Sequence, residues 1–424
     1  MNPPSRTLKH GAALIVALFV LGACARLGAM GWFGAFDQYT YDATGYLLLH
    51  GGGGDEREYE GRGWNLVSGG NFWALPSGDG DAPPAYPFFI ALIYSGLGRH
   101  PDLLLIANAI FGGVAAAATW LLGRRILDAW WAYVAALAVA IDPFLIMWSL
   151  RVLTESPAVL LAVAANIAIL RASRPQAGFF APGLAGLTLG VATLVRNNMI
   201  VFVLASGAWW VLFVRVPDRK LLKLVTGLAL FVAVWLPPTV VGLRSRPPGT
   251  TSQFEQFGRV DSFGSGYYLQ MAREQAIRRK GSPLTSEEAQ TVRARATLEL
   301  AGMPLWKVIV KNTLYRLSVF WRILPSEGSL LAKVIYALRA IVLFSLALAG
   351  GLLAYRGEDD MKRVAALFLL ETAALVLLHC FGPVVPRHRM LVEPMLWILA
   401  CVPLAEVCRR GARRTGMPAV PLVS

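Results

Sequence analysis

GAALIVALFVLGACARLGAMG, residues 11–31, is the run whose reading decides the fold. It carries one charge, Arg26, and at 1.5 Å per residue it is long enough to cross about 30 Å of hydrocarbon. Arg6 and Lys9 precede it, as in a secretory signal, and Leu21-Gly22-Ala23-Cys24 has the form of a lipoprotein cleavage box. The apolar run continues towards Phe33, however, and similar runs follow, so it reads as an uncleaved first span. The same criterion finds nine further blocks, near 102–122, 129–148, 156–172, 178–195, 198–214, 221–243, 331–355, 362–381 and 390–408. The 178–214 region is nearly twice too long for one helix, which makes Arg196-Asn197-Asn198 a tight turn. Residues 86–98 are apolar but too short to cross, and read as an interfacial or re-entrant helix. The expected class is an all-α polytopic membrane protein of about ten transmembrane helices.

Composition agrees. Of 424 residues, 56% are hydrophobic and 16% charged, with a mean hydropathy of +0.53. The formal net charge of +14 invites a nucleic-acid reading. The basic residues instead sit in short clusters beside apolar blocks, where they set topology and meet anionic lipid headgroups. Nucleic acid is therefore not an expected partner, whereas membrane lipids are. The four cysteines lie in or beside apolar segments without metal-ligand spacing.

Charge also orients the chain. With the N-terminus in the cytoplasm, the inner connections are Arg124-Arg125, Arg171/Arg174, Arg215/Arg219/Lys220/Lys223, Arg356/Lys362/Arg363 and Arg409/Arg410/Arg413/Arg414. Each is basic, as the positive-inside rule requires. Both termini are then cytoplasmic, and two large loops, 34–101 and 244–330, face outward. The first contains Gly51-Gly52-Gly53-Gly54, read as a spacer because no Lys-Ser/Thr follows it. The second is expected to hold a helix from Ser286 to Ala301, with Thr285 and Glu288 as a capping box and Gly302 beyond its end. Leu305–Ile323 mixes Trp306, Ile309, Leu317, Phe320 and Trp321 with Lys307, Lys311, Arg316 and Arg322, a composition suited to a membrane surface.

This topology gathers polar residues at the outer rim. Asp37-Gln38-Tyr39-Thr40-Tyr41-Asp42 follows the first span. Arg151, Thr154 and Glu155 precede the fourth. Arg196 and Asn197 occupy the turn after 195, and Arg387, His388, Arg389 and Glu393 the last outer turn. Each alone reads as an ordinary headgroup-level charge, and Tyr39, Tyr41 and Tyr46 equally as interfacial belt residues. Ionisable residues from four distant segments at one depth form a candidate functional site. Glu371 and His379 fall within one span and are assigned no role.

Five stretches carry a family resemblance. Asp37-x-x-x-Tyr41-x-x-x-Gly45-x-x-Leu48-Leu49-x-Gly51 resembles the opening of the first outer loop of GT-C glycosyltransferases. The likeness is to the branch of protein O-mannosyltransferases and aminoarabinose transferases (glycosyltransferase family 39 and its bacterial relatives). Pro83-Pro84-Ala85-Tyr86-Pro87-Phe88, followed by Gly98, is similar to their Pro-Pro-Gly-Tyr-Pro segment. Leu153-Thr154-Glu155 resembles their second outer loop. Gly186-x-x-x-Gly190-Val191-Ala192-Thr193-Leu194-Val195-Arg196 resembles their small-residue helix ending in Arg or Lys. Pro386-Arg387-His388-Arg389-Met390-Leu391-Val392-Glu393-Pro394 is similar to their late Arg-Tyr-x-Leu-Pro segment, with His and Met as departures. Gln38 stands where many relatives have a second acid.

The resemblance implies an inverting, polyprenyl-phosphate-sugar-dependent hexosyl or pentosyl transferase of the cell envelope, mannosyltransferase-like, acting on a hydroxyl acceptor. Its expected place is a bacterial inner membrane, with the active site on the periplasmic face. Asp37 is the candidate general base, with Asp42 second, and Glu155 orients the acceptor or holds a divalent ion. Arg389 and Arg196, then Arg387, are candidates for the leaving phosphate. Tyr41 and Arg151 complete the substrate-binding set, and His388 with Glu155 is the candidate metal pair. The implied organisation is a transmembrane catalytic module over 1–243 including loop 34–101, an outer loop with amphipathic helices over 244–330, and C-terminal transmembrane helices over 331–424. A transporter or flippase of lipid-linked sugars and a catalytically inactive relative are the alternatives. The absence of an internal repeat and the crowding of charge at one face weigh against the transporter.

Overall fold

The computed structural model describes residues 5–41, 47–49, 54–72, 83–215, 219–244, 272–273, 275–277, 279–280, 284–322, 330–381 and 386–414. The chain divides into two compact units. The first comprises Met1–Pro247, Ile323–Ala374 and Met390–Ser424, and the second Pro248–Arg322 and Leu375–Arg389.

In chain order the elements are α1 (Ser5–Trp32), a 3-10 turn (Ala35–Asp37), β1 (Tyr39–Tyr41), β2 (Leu47–Leu49), α2 (Gly54–Ser68), α3 (Ala85–Leu97) and α4 (Pro101–Gly123). There follow α5 (Ala129–Ile141), α6 (Pro143–Ser149), α7 (Glu155–Ala172), α8 (Phe180–Val195), a 3-10 turn (Asn197–Met199), α9 (Ile200–Phe213) and α10 (Lys220–Arg244). The second unit holds α11 (Ser286–Ala301) and α12 (Leu305–Phe320). Last come α13 (Leu330–Tyr355), α14 (Asp359–Phe381), a 3-10 segment (Pro386–Val392) and α15 (Glu393–Arg414). The one sheet among the described residues is the antiparallel hairpin β1-β2, pairing Tyr39 with Leu49 and Tyr41 with Leu47.

Seven helices among the described residues are long and apolar enough to cross a membrane, and an eighth span arises if α5 and α6, bent by 44°, are counted together. The expected count of ten is thus not reached by single long helices. Helices α8 and α9 have 16 and 14 residues, shorter than the roughly 20 that a perpendicular span needs. The break between α5 and α6 has a local cause. Asp142 precedes Pro143, which disfavours helical backbone before it, and Asp142 Oδ1 accepts the N–H groups of Phe144 and Leu145 at 2.8 and 3.1 Å. Asp142 thus ends one helix and caps the next. Its other oxygen accepts Arg339 Nε at 2.9 Å and Trp397 Nε1 at 2.7 Å, and Arg339 also pairs with Glu393. Helix α3, with 13 residues, is too short to cross, as expected.

The first unit packs as membrane helices do, through small residues. A Cβ on Gly186 of α8 would run into the carbonyl oxygen of Gly227 on α10, and one on Gly350 of α13 into that of Leu399 on α15. Outward faces carry leucine and tryptophan, including Leu92, Trp130, Phe180, Leu204 and Leu221. All four cysteines are free thiols, with Cys380 and Cys401 buried and Cys24 and Cys408 exposed.

Several basic connections meet at one end of this unit. Lys223 Nζ donates to the Arg174 and Pro175 carbonyls at 3.4 and 3.5 Å. Arg215 pairs with Asp359 at 3.6 Å, and Trp209 Nε1 donates to the Arg363 carbonyl at 2.7 Å. These are connections that the charge pattern assigns to one side.

In the second unit the capping box forms as read. The Thr285 N–H donates to Glu288 Oε2 at 2.7 Å and the Glu288 N–H to Thr285 Oγ1 at 3.3 Å. Helix α12 mixes polar and apolar residues on both its buried and its exposed face. It buries Val308, Asn312, Arg316, Val319 and Phe320, and exposes Trp306, Val310 and Leu314.

Candidate functional site

Asp37 closes the 3-10 turn after α1 and is exposed. The chain beyond it is fixed by Tyr39, whose hydroxyl accepts the Val152 N–H at 2.9 Å. Tyr39 and Phe36 also pack on a buried cluster that includes Met30, Ala35, Tyr86 and Val152. Burial, then the nearby Glu56 carboxylate, pushes the Tyr39 phenol well up, so it stays neutral and available as an acceptor. The turn bearing Asp37 is thereby tied to the loop that leads into α7.

That loop delivers Glu155 as the first residue of α7, 1% exposed. Its Oε1 lies 2.9 Å from Nη1 of Arg196, which ends α8 in extended backbone. The same Nη1 donates to Thr154 Oγ1 at 2.8 Å. Two of the residues expected at the outer rim are therefore in direct contact although 41 positions apart, counting from 155 to 196. The contact is an ion pair in a dry environment, where opposite charges attract strongly. Arg151 is more open, with its side chain 44% exposed and Nε 3.9 Å from Glu56 Oε1. Its carbonyl accepts Asn108 Nδ2 at 2.7 Å.

Tyr41 is placed differently from a free substrate contact. Arg99 lies over its ring at 4.3 Å and over Trp64 at 4.5 Å. Arg99 also donates to Glu60 through Nε at 2.7 Å and Nη2 at 2.8 Å. Burial, then Glu60, pushes the Tyr41 phenol up to about 12. Asp42, Gly45 and Tyr46 lie outside the described residues.

Sequence reading missed α2. The stretch after the four glycines was given no element, yet Glu56, Glu60 and Arg62 are buried at 2, 0 and 0% exposure. The available signal was spacing. Glu56, Glu60 and Gly63 recur at helical intervals, and a Cβ on Gly63 would collide with Ile90 of α3. Tyr59 from the same helix is partly buried, and its phenol is pushed up by desolvation, with Arg196 opposing. Helix α2 thus supplies a buried acidic face beside Tyr39 and Tyr59.

Arg387, His388 and Arg389 belong to the second unit. Arg389 is 2% exposed, and its Nη1 donates to the Phe320 and Arg322 carbonyls at 3.0 and 2.9 Å. His388 stacks on His379 with ring centroids 4.4 Å apart and Nδ1 atoms 3.3 Å apart. His379, given no role from sequence, is therefore the partner of His388.

The metal expectation fits these surroundings poorly. Among the described residues no three His, Cys, Asp or Glu side chains group to hold an ion. Glu155 faces a guanidinium, and His388 a second imidazole. No step below runs through a metal.

With this geometry in view, comparison with known proteins defines the class. The archaeal oligosaccharyltransferase AglB from Archaeoglobus fulgidus, in complex with an inhibitory peptide and a dolichol-phosphate, has TM-score 0.56 and 15% identity over 98% of this chain and 52% of that one. The Archaeoglobus fulgidus enzyme with Zn and sulfate gives 0.54 and 17%, over 95% and 50%. The form tethered to an acceptor peptide gives 0.57 and 19%, over 98% and 52%. The chain spans about half the length of these structures. At such identities the likeness is one of fold, and the fold is that of the GT-C membrane glycosyltransferases. Within that class, residues 81–240 match the family model of dolichyl-phosphate-mannose-protein mannosyltransferases. No curated protein sequence matches. The chain is an integral membrane protein with a glycosyltransferase-like architecture.

Proposed function

We propose that this protein transfers a sugar, with inversion, from a polyprenyl-phosphate-linked donor to a hydroxyl acceptor. The site lies at the outer face of a bacterial inner membrane, with both termini cytoplasmic. The acceptor oxygen attacks the anomeric carbon, the bond from that carbon to the phosphate oxygen breaks, and the hydroxyl proton passes to Asp37. Asp37 suits the base because it is an exposed carboxylate on an anchored turn directly after a span. Glu155, fixed by Arg196, orients the acceptor. Arg151 is assigned to the departing phosphate, whose growing charge guanidinium groups bind bidentately, and Arg387 and Arg389 remain candidates for it on residue type alone. Asp42 remains the second candidate base on residue type alone.

The observation that carries this reading is the Tyr39–Val152 hydrogen bond, which draws the Asp37 turn to the segment bearing Glu155. The competing transporter reading draws on Glu371, which is fully buried in α14 and accepts Asn166 Nδ2 at 2.9 Å and Ser206 Oγ at 3.4 Å. One polar group within a span is a weaker argument than a transferase fold with a charged rim.

The test is sugar transfer by the purified protein from radiolabelled polyprenyl-phosphate hexoses and pentoses. Asp37→Asn is expected to lower turnover by about 10²–10⁴-fold, the usual contribution of a general base. Arg389→Ala is expected to lower it as well. Wild-type turnover in both variants would remove this site from consideration.

A further inference from the structure

The end of the first unit remote from Glu155 carries a groove that the proposed transfer does not use. Glu155 begins α7, whose 18 residues rise about 27 Å. Lys223 bonds to the Arg174 and Pro175 carbonyls beyond the other end of that helix. The start of α10 therefore lies about one membrane thickness from the Glu155–Arg196 pair.

There α9 and α10 flank an open groove of about 590 Å³. Its walls are apolar, with Trp210, Val211, Leu222 and Val225 among them, and Arg219 and Lys220 complete the lining. The volume is that of a small-molecule site, and such sites combine apolar walls with a few polar groups. Val211, Leu222 and Val225 are 59, 52 and 49% exposed, so the groove opens onto the apolar outer surface of the helices.

The two cations are held in place. Lys220 Nζ donates to the Val211 carbonyl at 2.9 Å, and Arg219 lies over the Phe179 ring at 5.9 Å. Arg219 is the one described non-glycine residue with positive φ, at 62°, a conformation uncommon for a residue with a side chain. Nearby acids are already engaged, Asp359 by Arg215 at 3.6 Å and Asp360 by Arg363 at 3.5 Å. Among the described residues no carboxylate pairs with Arg219 or Lys220.

We infer that this groove binds an anionic phospholipid, its phosphate on Arg219 and Lys220 and its acyl chains along Val211, Leu222 and Val225. Charge complementarity selects the occupant. Two cations at the edge of a spanning helix match an anionic headgroup, and apolar walls facing hydrocarbon need chains that a free phosphate lacks.

The experiment is native mass spectrometry of the full-length protein in detergent after delipidation. It is titrated with phosphatidylglycerol, phosphatidylcholine or glycerol phosphate. The wild type should retain phosphatidylglycerol over phosphatidylcholine, and glycerol phosphate should not compete. Arg219→Gly combined with Lys220→Ala keeps the left-handed backbone while removing both charges, and should weaken phosphatidylglycerol binding roughly tenfold or more. Arg219→Lys alone should retain most of it. Val225→Trp, which narrows the groove without altering charge, should also weaken phosphatidylglycerol binding, and it serves if the double variant does not fold. Equal phosphatidylglycerol retention by wild type and either disabling variant overturns the inference. So does equal affinity for phosphatidylcholine, or glycerol phosphate binding as tightly as the lipid.

Discussion

At the scale of single residues, the Glu155–Arg196 pair is the firmest part of the site. Both groups are nearly dry, and removing one partner strands the other charge. Arg196→Ala is therefore expected to destabilise the protein by about 3 kcal/mol, the usual cost of breaking a buried pair from one side. Glu155→Gln should cost less, because the shape is kept and Arg196 retains its hydrogen bond to Thr154 Oγ1. The double variant should be milder than the sum of the singles, as read by denaturant unfolding in detergent. Both residues were legible in the sequence as rim charges, because topology alone brings the two ends of neighbouring spans to one depth. Their contact was not, since hydropathy carries no information about which rim charges touch. Tyr41 was legible as a rim residue in the same way, but the Arg99 guanidinium over its ring was not, since Arg99 has no sequence mark beyond its place beside Gly98.

At the scale of elements, long apolar helices were readable and interruptions were not. The ten-span expectation counted apolar length, and hydropathy does not register the cap that Asp142 makes on α6 or the shortness of α8 and α9. Helix α2 was lost for the opposite reason, since its buried face is acidic and tests built on apolar periodicity pass over it. Two predictions belong here. Gly350→Ala should separate α13 from α15, because the obstacle is the Leu399 backbone and cannot rotate away. A fall in thermal midpoint larger than that of Gly28→Ala, which meets open space, is the expected result. In α11, hydrogen bonding from Lys280, then from the Thr285 N–H, holds the Glu288 carboxyl below the usual range. A depressed folded value means that this support is complete above the unfolded value of about 4.3 and is lost as pH falls through the folded one. Amide protection in the first turn of α11, taken relative to the intrinsic exchange rate at each pH, should therefore fall between pH 6 and pH 3, and Glu288→Gln should show the low protection already at pH 6.

At the scale of the whole molecule, the account joins a charged rim bearing Asp37, Glu155 and Arg196 to a basic far end, about one membrane thickness apart. That polarity is what the positive-inside pattern predicts for a protein with its chemistry outside. The charge pattern together with five short motifs had already pointed to the GT-C fold. The sugar and acceptor are matters of cavity shape, which residue patterns do not encode. The most direct measurement is the fate of the donor lipid itself. Purified protein in liposomes is incubated with polyprenyl-phosphate-linked sugar and a hydroxyl acceptor, and the lipid products are resolved by mass spectrometry. The account predicts free polyprenyl phosphate and an acceptor glycoside of inverted anomeric configuration with wild-type protein, and neither with Asp37→Asn. Intact donor moved between leaflets, with the sugar–phosphate bond unbroken, would contradict it.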